Sequence, residues 1–89
     1  MVITYRVIFS LDATNSLGNL DKQIAQRILD RIKWLSLHID NVNHQSLTGH
    51  LRGAFKLRVG DYRVVYELNS SHEMLVVRFI GHRSEIYRR

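Results

Sequence analysis

The chain has 89 residues, 45% of them hydrophobic and 24% charged, and 13 Lys and Arg against 8 Asp and Glu leave a net charge of +5. This length makes one domain, and no apolar run approaches the roughly 20 residues that a bilayer span requires. Cysteine is absent, which excludes disulfides and thiolate metal ligands, and the opening residues lack the basic and long apolar regions of a signal peptide, so a cytoplasmic location without a membrane anchor is expected.

Residues 2–9 read as a first strand, apolar enough to be largely buried. Ser10 or Asp12 is suited to cap a short helix after it, kept brief by Asn15, Ser16 and Gly18. The clearest helix runs from Leu20 to about Ile39, where Ile24, Ile28, Ile32, Leu35 and Ile39 form one apolar stripe. Asn19 or Asp21 caps its start, and Lys22, Gln26, Asp30 and Lys33 occupy its polar side. Leu29, Trp34 and Leu37 fall off the stripe, so the buried face is broad or meets a partner protein as well. Residues 40–52 form a polar connection with a turn at Gly49, and Leu47 and Leu51 are expected to tuck under the sheet edge.

Gly53 to Tyr66 reads as two strands joined at Gly60-Asp61. A two-residue loop sets Phe55 opposite Tyr66, Leu57 opposite Val64 and Val59 opposite Tyr62 on one face. The other face then carries Lys56 opposite Val65 and Arg58 opposite Arg63. Like charges directly opposite weaken a sheet, so three cations on one hairpin invite an anionic partner, although a solvated outer face is the plainer alternative. Met74 to Ile80 forms another strand, with the side taken by Arg78 left open, and Gly81 to Arg89 forms a tail too polar to be a strand. The predicted class is α+β: an antiparallel sheet of about four strands with two N-terminal helices packed on one face (β-α-α-β-β-β) and a short C-terminal tail. The face bearing Lys56, Arg58 and Arg63 is expected to be uncovered.

Residues 52–89 carry eight Lys and Arg against four Asp and Glu, an excess that favours nucleic acid or an acidic protein as partner. His38, His44 and His50 show no metal-ligand spacing, and there is no Gly-rich phosphate loop, nucleophile elbow or paired carboxylate, so neither metal nor cofactor is expected. What remains is a cationic site of Lys56, Arg58, Arg63, His82, Arg83 and Tyr87. Such groups suit metal-free RNA cleavage, in which a 2′-hydroxyl attacks the adjacent phosphate. That reaction needs a base, cations around the phosphorane, and an acid for the leaving 5′-oxygen. Arginine fits the middle role through its planar, permanently charged fork. Histidine or tyrosine can move protons, although His82 and Tyr87 also read as a frayed, solvated terminus. Arg52 and Arg78 join Arg58 as candidate RNA-binding groups.

Phe-Lys-Leu-Arg-Val-Gly-Asp-Tyr-Arg-Val-Val-Tyr at 55–66, followed by Ile-Gly-His-Arg-Ser-Glu-Ile-Tyr at 80–87, resembles the paired signature of RelE-type toxins of the RelE/ParE superfamily. The Leu-Arg-Gly lead-in at Leu51–Gly53 and the strand-helix opening also fit. The resemblance implies a type II toxin–antitoxin toxin that cleaves messenger RNA in the ribosomal A site, inhibiting translation, and is neutralised by a cognate acidic antitoxin. It matches Lys56, Arg63 and Arg83 to cationic site positions and Tyr87 to a terminal tyrosine. Two departures stand out: Ala54 occupies the place of a second lysine, and the tail before Ser-Glu-Ile-Tyr is shorter and less basic. His82 is a candidate for one proton-transfer role. The alternatives are a ParE-like inhibitor of DNA gyrase without nuclease activity, and a non-catalytic basic module that binds nucleic acid.

Overall fold

The structure, a computed structural model, describes residues 4–88. Its elements are β1 (Arg6–Phe9), α1 (Leu11–Gly18), α2 (Lys22–Leu37), β2 (Gln45–Ser46), β3 (Phe55–Val59), β4 (Tyr62–Asn69) and β5 (Met74–His82). Single 3₁₀ turns occur at Ile39–Asn41, Gly49–Leu51 and Ile86–Arg88. Residues 2 and 3 of the expected first strand lie outside the described residues.

Local chemistry explains the helices. Ser10 caps α1: its Oγ accepts from the Ala13 N–H at 3.0 Å, and its hydroxyl donates to the Arg78 carbonyl at 2.6 Å, which ties the helix start to β5. Asp21 holds the N-cap position of α2, although its side chain makes no capping bond. Ile28, Ile32 and Leu35 of α2 are buried, as is Ile39 beyond it. They pack on Leu57, Val64, Tyr66, Leu75, Val77 and Ile80 of the sheet, while Leu29, Trp34 and Leu37 stay exposed.

The sheet order is β1-β5-β4-β3-β2. The α+β class holds, but the sheet has five strands and is mixed, because β1 pairs in parallel with β5. The helices explain this. They carry the chain over one face from β1 at one edge to β2 at the other, and three antiparallel steps return it beside β1. Part of the expected polar connection, Gln45–Ser46, pairs with Lys56 and Phe55 as the short edge strand β2. The last strand also outruns its expected end: Gly81 pairs with Arg63 and His82 with Tyr62.

The β3–β4 register matches the two-residue loop at every pair from Phe55↔Tyr66 to Val59↔Tyr62. Between β4 and β5 the ladder slips by one residue at Val65/Tyr66, where Arg78 has no partner. The slip is a β-bulge that reverses the alternation. Val77 before it and Ile80 after it both reach the helix-side core, and Phe79 turns to the outer face. That outer face is not bare, contrary to expectation. Ala54, Val65 and Ile86 are buried on it and pack with Leu47 and Phe79 as a second, smaller core. Ile86 reaches it because the turn after His82 folds the tail back over Gly81, where an added Cβ would stand 3.2 Å from Ile86 Cδ1.

Candidate active site

Two adjacent strands, β3 and β4, present three of the cations. Strand alternation puts Lys56 and Arg58 of β3 and Arg63 of β4 on the outer face, with Arg58 directly opposite Arg63. Arg58 is exposed, and Lys56 and Arg63 are half-buried. Arg63 folds over the hairpin turn, its Nη1 donating to the carbonyls of Gly60 at 2.9 Å and Tyr62 at 2.8 Å. Gly60 has φ +59°, so the turn takes a conformation that glycine adopts without strain.

The tail adds its groups at the same turn. The Arg83 backbone N–H donates to the Asp61 carbonyl at 2.8 Å, and its Nε stands 3.9 Å from Asp61 Oδ1. Both side chains are more than half exposed, so the ion pair stabilises little, and the backbone bond places the residue. Tyr87 follows the buried Ile86 and is 38% exposed. Backbone pairing thus brings Lys56, Arg58, Arg63 and Arg83 to one end of one face, with Tyr87 on the segment packed against it.

His82 is not brought to this group. Its pairing with Tyr62 sets it on the helix-side face, where the two rings meet edge-on at 5.6 Å. Its Nδ1 accepts from the Ser84 N–H at 3.2 Å and lies 2.8 Å from Ser84 Oγ, so its own proton, in the neutral ring, sits on Nε2. Arg52 and Arg78 lie farther along the outer face. They line a pocket of about 210 Å³ with His50, Glu67 and Phe79. Arg78 donates to Glu67 Oε2 at 2.7 Å and lies over the Phe79 ring at 5.8 Å.

A groove of about 330 Å³ runs along the edge of β3, lined by Arg31, Gln45, Lys56, Arg58, Arg63 and Tyr66 among others. A second groove of about 330 Å³ continues it past Arg27 and Asp30. Arg27 and Arg31 therefore extend the cationic surface, and reading the sequence missed them. Their spacing of four residues on the polar side of α2 was visible, but that α2 lies beside β3 was not. Tyr66 supplies an inner wall. Its hydroxyl lies 2.6 Å from His44 Nδ1, and His44 Nε2 donates to the Ile39 carbonyl at 2.9 Å. Burial pushes the Tyr66 hydroxyl up from 10.0 to about 12, so it stays protonated.

Among the described residues no three metal-capable side chains gather, and no helix is long and apolar enough to cross a membrane. The arrangement can gather phosphate oxygens with fixed positive charge, and the tail packed on the same face carries the partly exposed phenol of Tyr87.

The family model of the ParE toxin of type II toxin–antitoxin systems (parDE) matches residues 7–87. Toxin RelE of Mycobacterium tuberculosis is 30% identical over 84 residues, which span 94% of this chain and 87% of that protein. Toxin RelG of the same organism is 40% identical over 43 residues, 48% of this chain and 49% of that one. Among solved structures, one chain of the RelBE2 toxin–antitoxin complex from Mycobacterium tuberculosis superposes with a TM-score of 0.82 at 27% identity, covering 94% of this chain and 97% of its own. The isolated Escherichia coli RelE toxin shares the fold, with a TM-score of 0.74 at 17% identity over 89% of this chain and 84% of that one.

Proposed function

The chain belongs to the ParE toxin family of type II toxin–antitoxin systems, within the RelE/ParE superfamily, and from that premise we propose that it is a ribosome-dependent endoribonuclease that cleaves messenger RNA in the ribosomal A site. One observation carries the reading: Lys56, Arg58, Arg63 and Arg83 converge on one end of the outer face, beside the segment that bears Tyr87.

In the proposed reaction the RNA 2′-oxygen forms a bond to phosphorus as the bond from phosphorus to the 5′-oxygen breaks. The 2′-hydroxyl loses its proton to a base, and the leaving oxygen gains one from an acid. Arg63, Arg83 and Lys56 balance the charge on the phosphorane. Tyr87 takes a proton-transfer role, since His82 faces the other side of the sheet. Arg58, Arg52 and Arg78 hold the RNA backbone. No small-molecule cofactor enters this scheme.

The partners in this reading are the ribosome with its message, and a small acidic antitoxin. The antitoxin reading draws on the related toxins solved in toxin–antitoxin complexes, on the cationic face, and on the exposed Leu29, Trp34 and Leu37 of α2. A second reading, a gyrase-directed toxin without nuclease activity, is favoured by the ParE description of the family.

The test is cleavage on programmed ribosomes with end analysis. The expected products carry a 2′,3′-cyclic or 3′-phosphate and a free 5′-hydroxyl, and Arg63→Ala slows their formation about 100- to 1000-fold while ribosome binding persists. An intact message together with loss of gyrase supercoiling would establish the second reading instead.

A further inference from the structure

We propose that Ile86 is a positioning residue of this site: it anchors the tail on the sheet and so presents Tyr87 to the cationic face. The inference rests on the nuclease reading above. Between Arg83 and Arg88, Ile86 alone is buried, at 0% exposure, and all its neighbours in that stretch are exposed. The Arg83 N–H bond to Asp61 fixes only the start of the stretch. The bonds from Glu85 N–H to the His82 carbonyl and from Arg88 N–H to the Glu85 carbonyl link the tail to itself and to the end of β5. Packing of Ile86 therefore holds the turn that carries Tyr87 against the sheet.

The socket exists because its floor residues are small. At Gly81 an added Cβ would stand 3.2 Å from Ile86 Cδ1, tighter than ordinary contact. Ala54, 4% exposed, belongs to the same cluster with Val65, and Leu47 and Phe79 pack around them. Ala54 also stands where the RelE-type pattern has a second lysine. Ala54 is buried in the cluster that holds Ile86, so this chain has an apolar seat for its tail where the pattern has a cation.

The experiment compares wild type, Ile86→Val, Ile86→Ala, Tyr87→Phe and the Ile86→Ala/Tyr87→Phe double variant in single-turnover cleavage on programmed ribosomes. Ribosome affinity and backbone amide exchange are measured alongside. Ile86→Ala is expected to slow cleavage roughly 100-fold with affinity nearly unchanged, as a misplaced reacting group does. Ile86→Val should recover most of the rate, and the double variant should be about as slow as Tyr87→Phe alone, because Ile86 acts through Tyr87. Amides of residues 83–88 should exchange faster while those of β3 and β4 do not. Full multiplication of the two single effects, or an unchanged rate in a variant whose tail amides exchange faster, overturns the proposal. Should Ile86→Ala not fold, Gly81→Ala, whose added Cβ would stand 3.2 Å from Ile86 Cδ1, disturbs the same seat and is expected to slow cleavage and speed exchange at residues 83–88; an unchanged rate with faster tail exchange overturns the proposal there too. If wild-type protein leaves the message intact, the nuclease reading fails, and unchanged exchange at residues 83–88 in the variants would overturn the anchoring independently.

Discussion

Arg58 stands directly across the β3–β4 ladder from Arg63, so two cationic side chains leave the outer face at opposed positions. A fold optimised for stability alone avoids this arrangement, since like charges directly opposite oppose strand pairing. Arg58→Thr should therefore raise unfolding stability by roughly 0.2–1 kcal/mol, read as a higher urea midpoint at unchanged slope. The same change should weaken binding to programmed ribosomes and flatten its salt dependence. Loss of stability would show that the pair is not repulsive.

The chemical step should respond by position. Arg63→Ala and Arg83→Ala are expected to slow single-turnover cleavage by about 100- to 1000-fold, the usual cost of removing one preorganised charge. Tyr87→Phe should cost on the order of 100- to 10,000-fold and change the pH profile. His82→Ala should stay within roughly tenfold, because its ring lies against Tyr62 on the other face. A large, pH-dependent loss in His82→Ala would return the proton-transfer role to histidine.

The hairpin turn supports two of those arginines, Arg63 through the Gly60 carbonyl and Arg83 through the Asp61 carbonyl. Gly60→Ala meets no steric obstacle, since its Cβ would stand 3.6 Å from Arg27 Nη2. The strain lies in the backbone, at φ +59°, and should cost about 1–2 kcal/mol. Thermal unfolding checks the first effect. Single-turnover cleavage should fall as well, because the turn's carbonyls place both arginines, and an unchanged rate would show that they need no such support.

Stability should decline at alkaline pH through Tyr66. Its folded hydroxyl is pushed up to about 12 against 10.0 when exposed. Above the unfolded value the unfolded chain releases this proton first, so the contribution is complete below pH about 10 and is lost progressively towards pH about 12, amounting to about 2–3 kcal/mol. Urea unfolding across that window should show the decline, and Tyr66→Phe should reduce it. At neutral pH the same substitution removes the partner of His44 and should cost about 1–3 kcal/mol.

Glu67 offsets Arg78 through an ion pair at 2.7 Å whose side chains are 44% and 43% exposed. Glu67→Gln should change stability by less than about 1 kcal/mol. It should strengthen ribosome binding and steepen its salt dependence, because one more cation becomes available. Unchanged binding would place Arg78 outside the RNA-contacting surface.

Features that rest on short-range periodicity and loop length are legible along the chain. The stripe from Ile24 to Ile39 specifies α2 because residues three and four apart share a helix face. The Gly60-Asp61 loop specifies the pairing of Arg58 with Arg63 because a two-residue hairpin admits one register. Long-range pairing settles the rest: β1 beside β5, Arg27 and Arg31 along the edge of β3, Ile86 in one cluster with Ala54 and against Gly81, and the face taken by His82. Strand alternation has a period of two, so the single unpaired residue at Arg78 exchanges the faces of everything after it in β5. Neither the apolar run from Leu75 to Ile80 nor the polar tail carries a local signal of that slip, because both faces of this part of the sheet are packed, one by the helices and the other by the chain's own C-terminal turn.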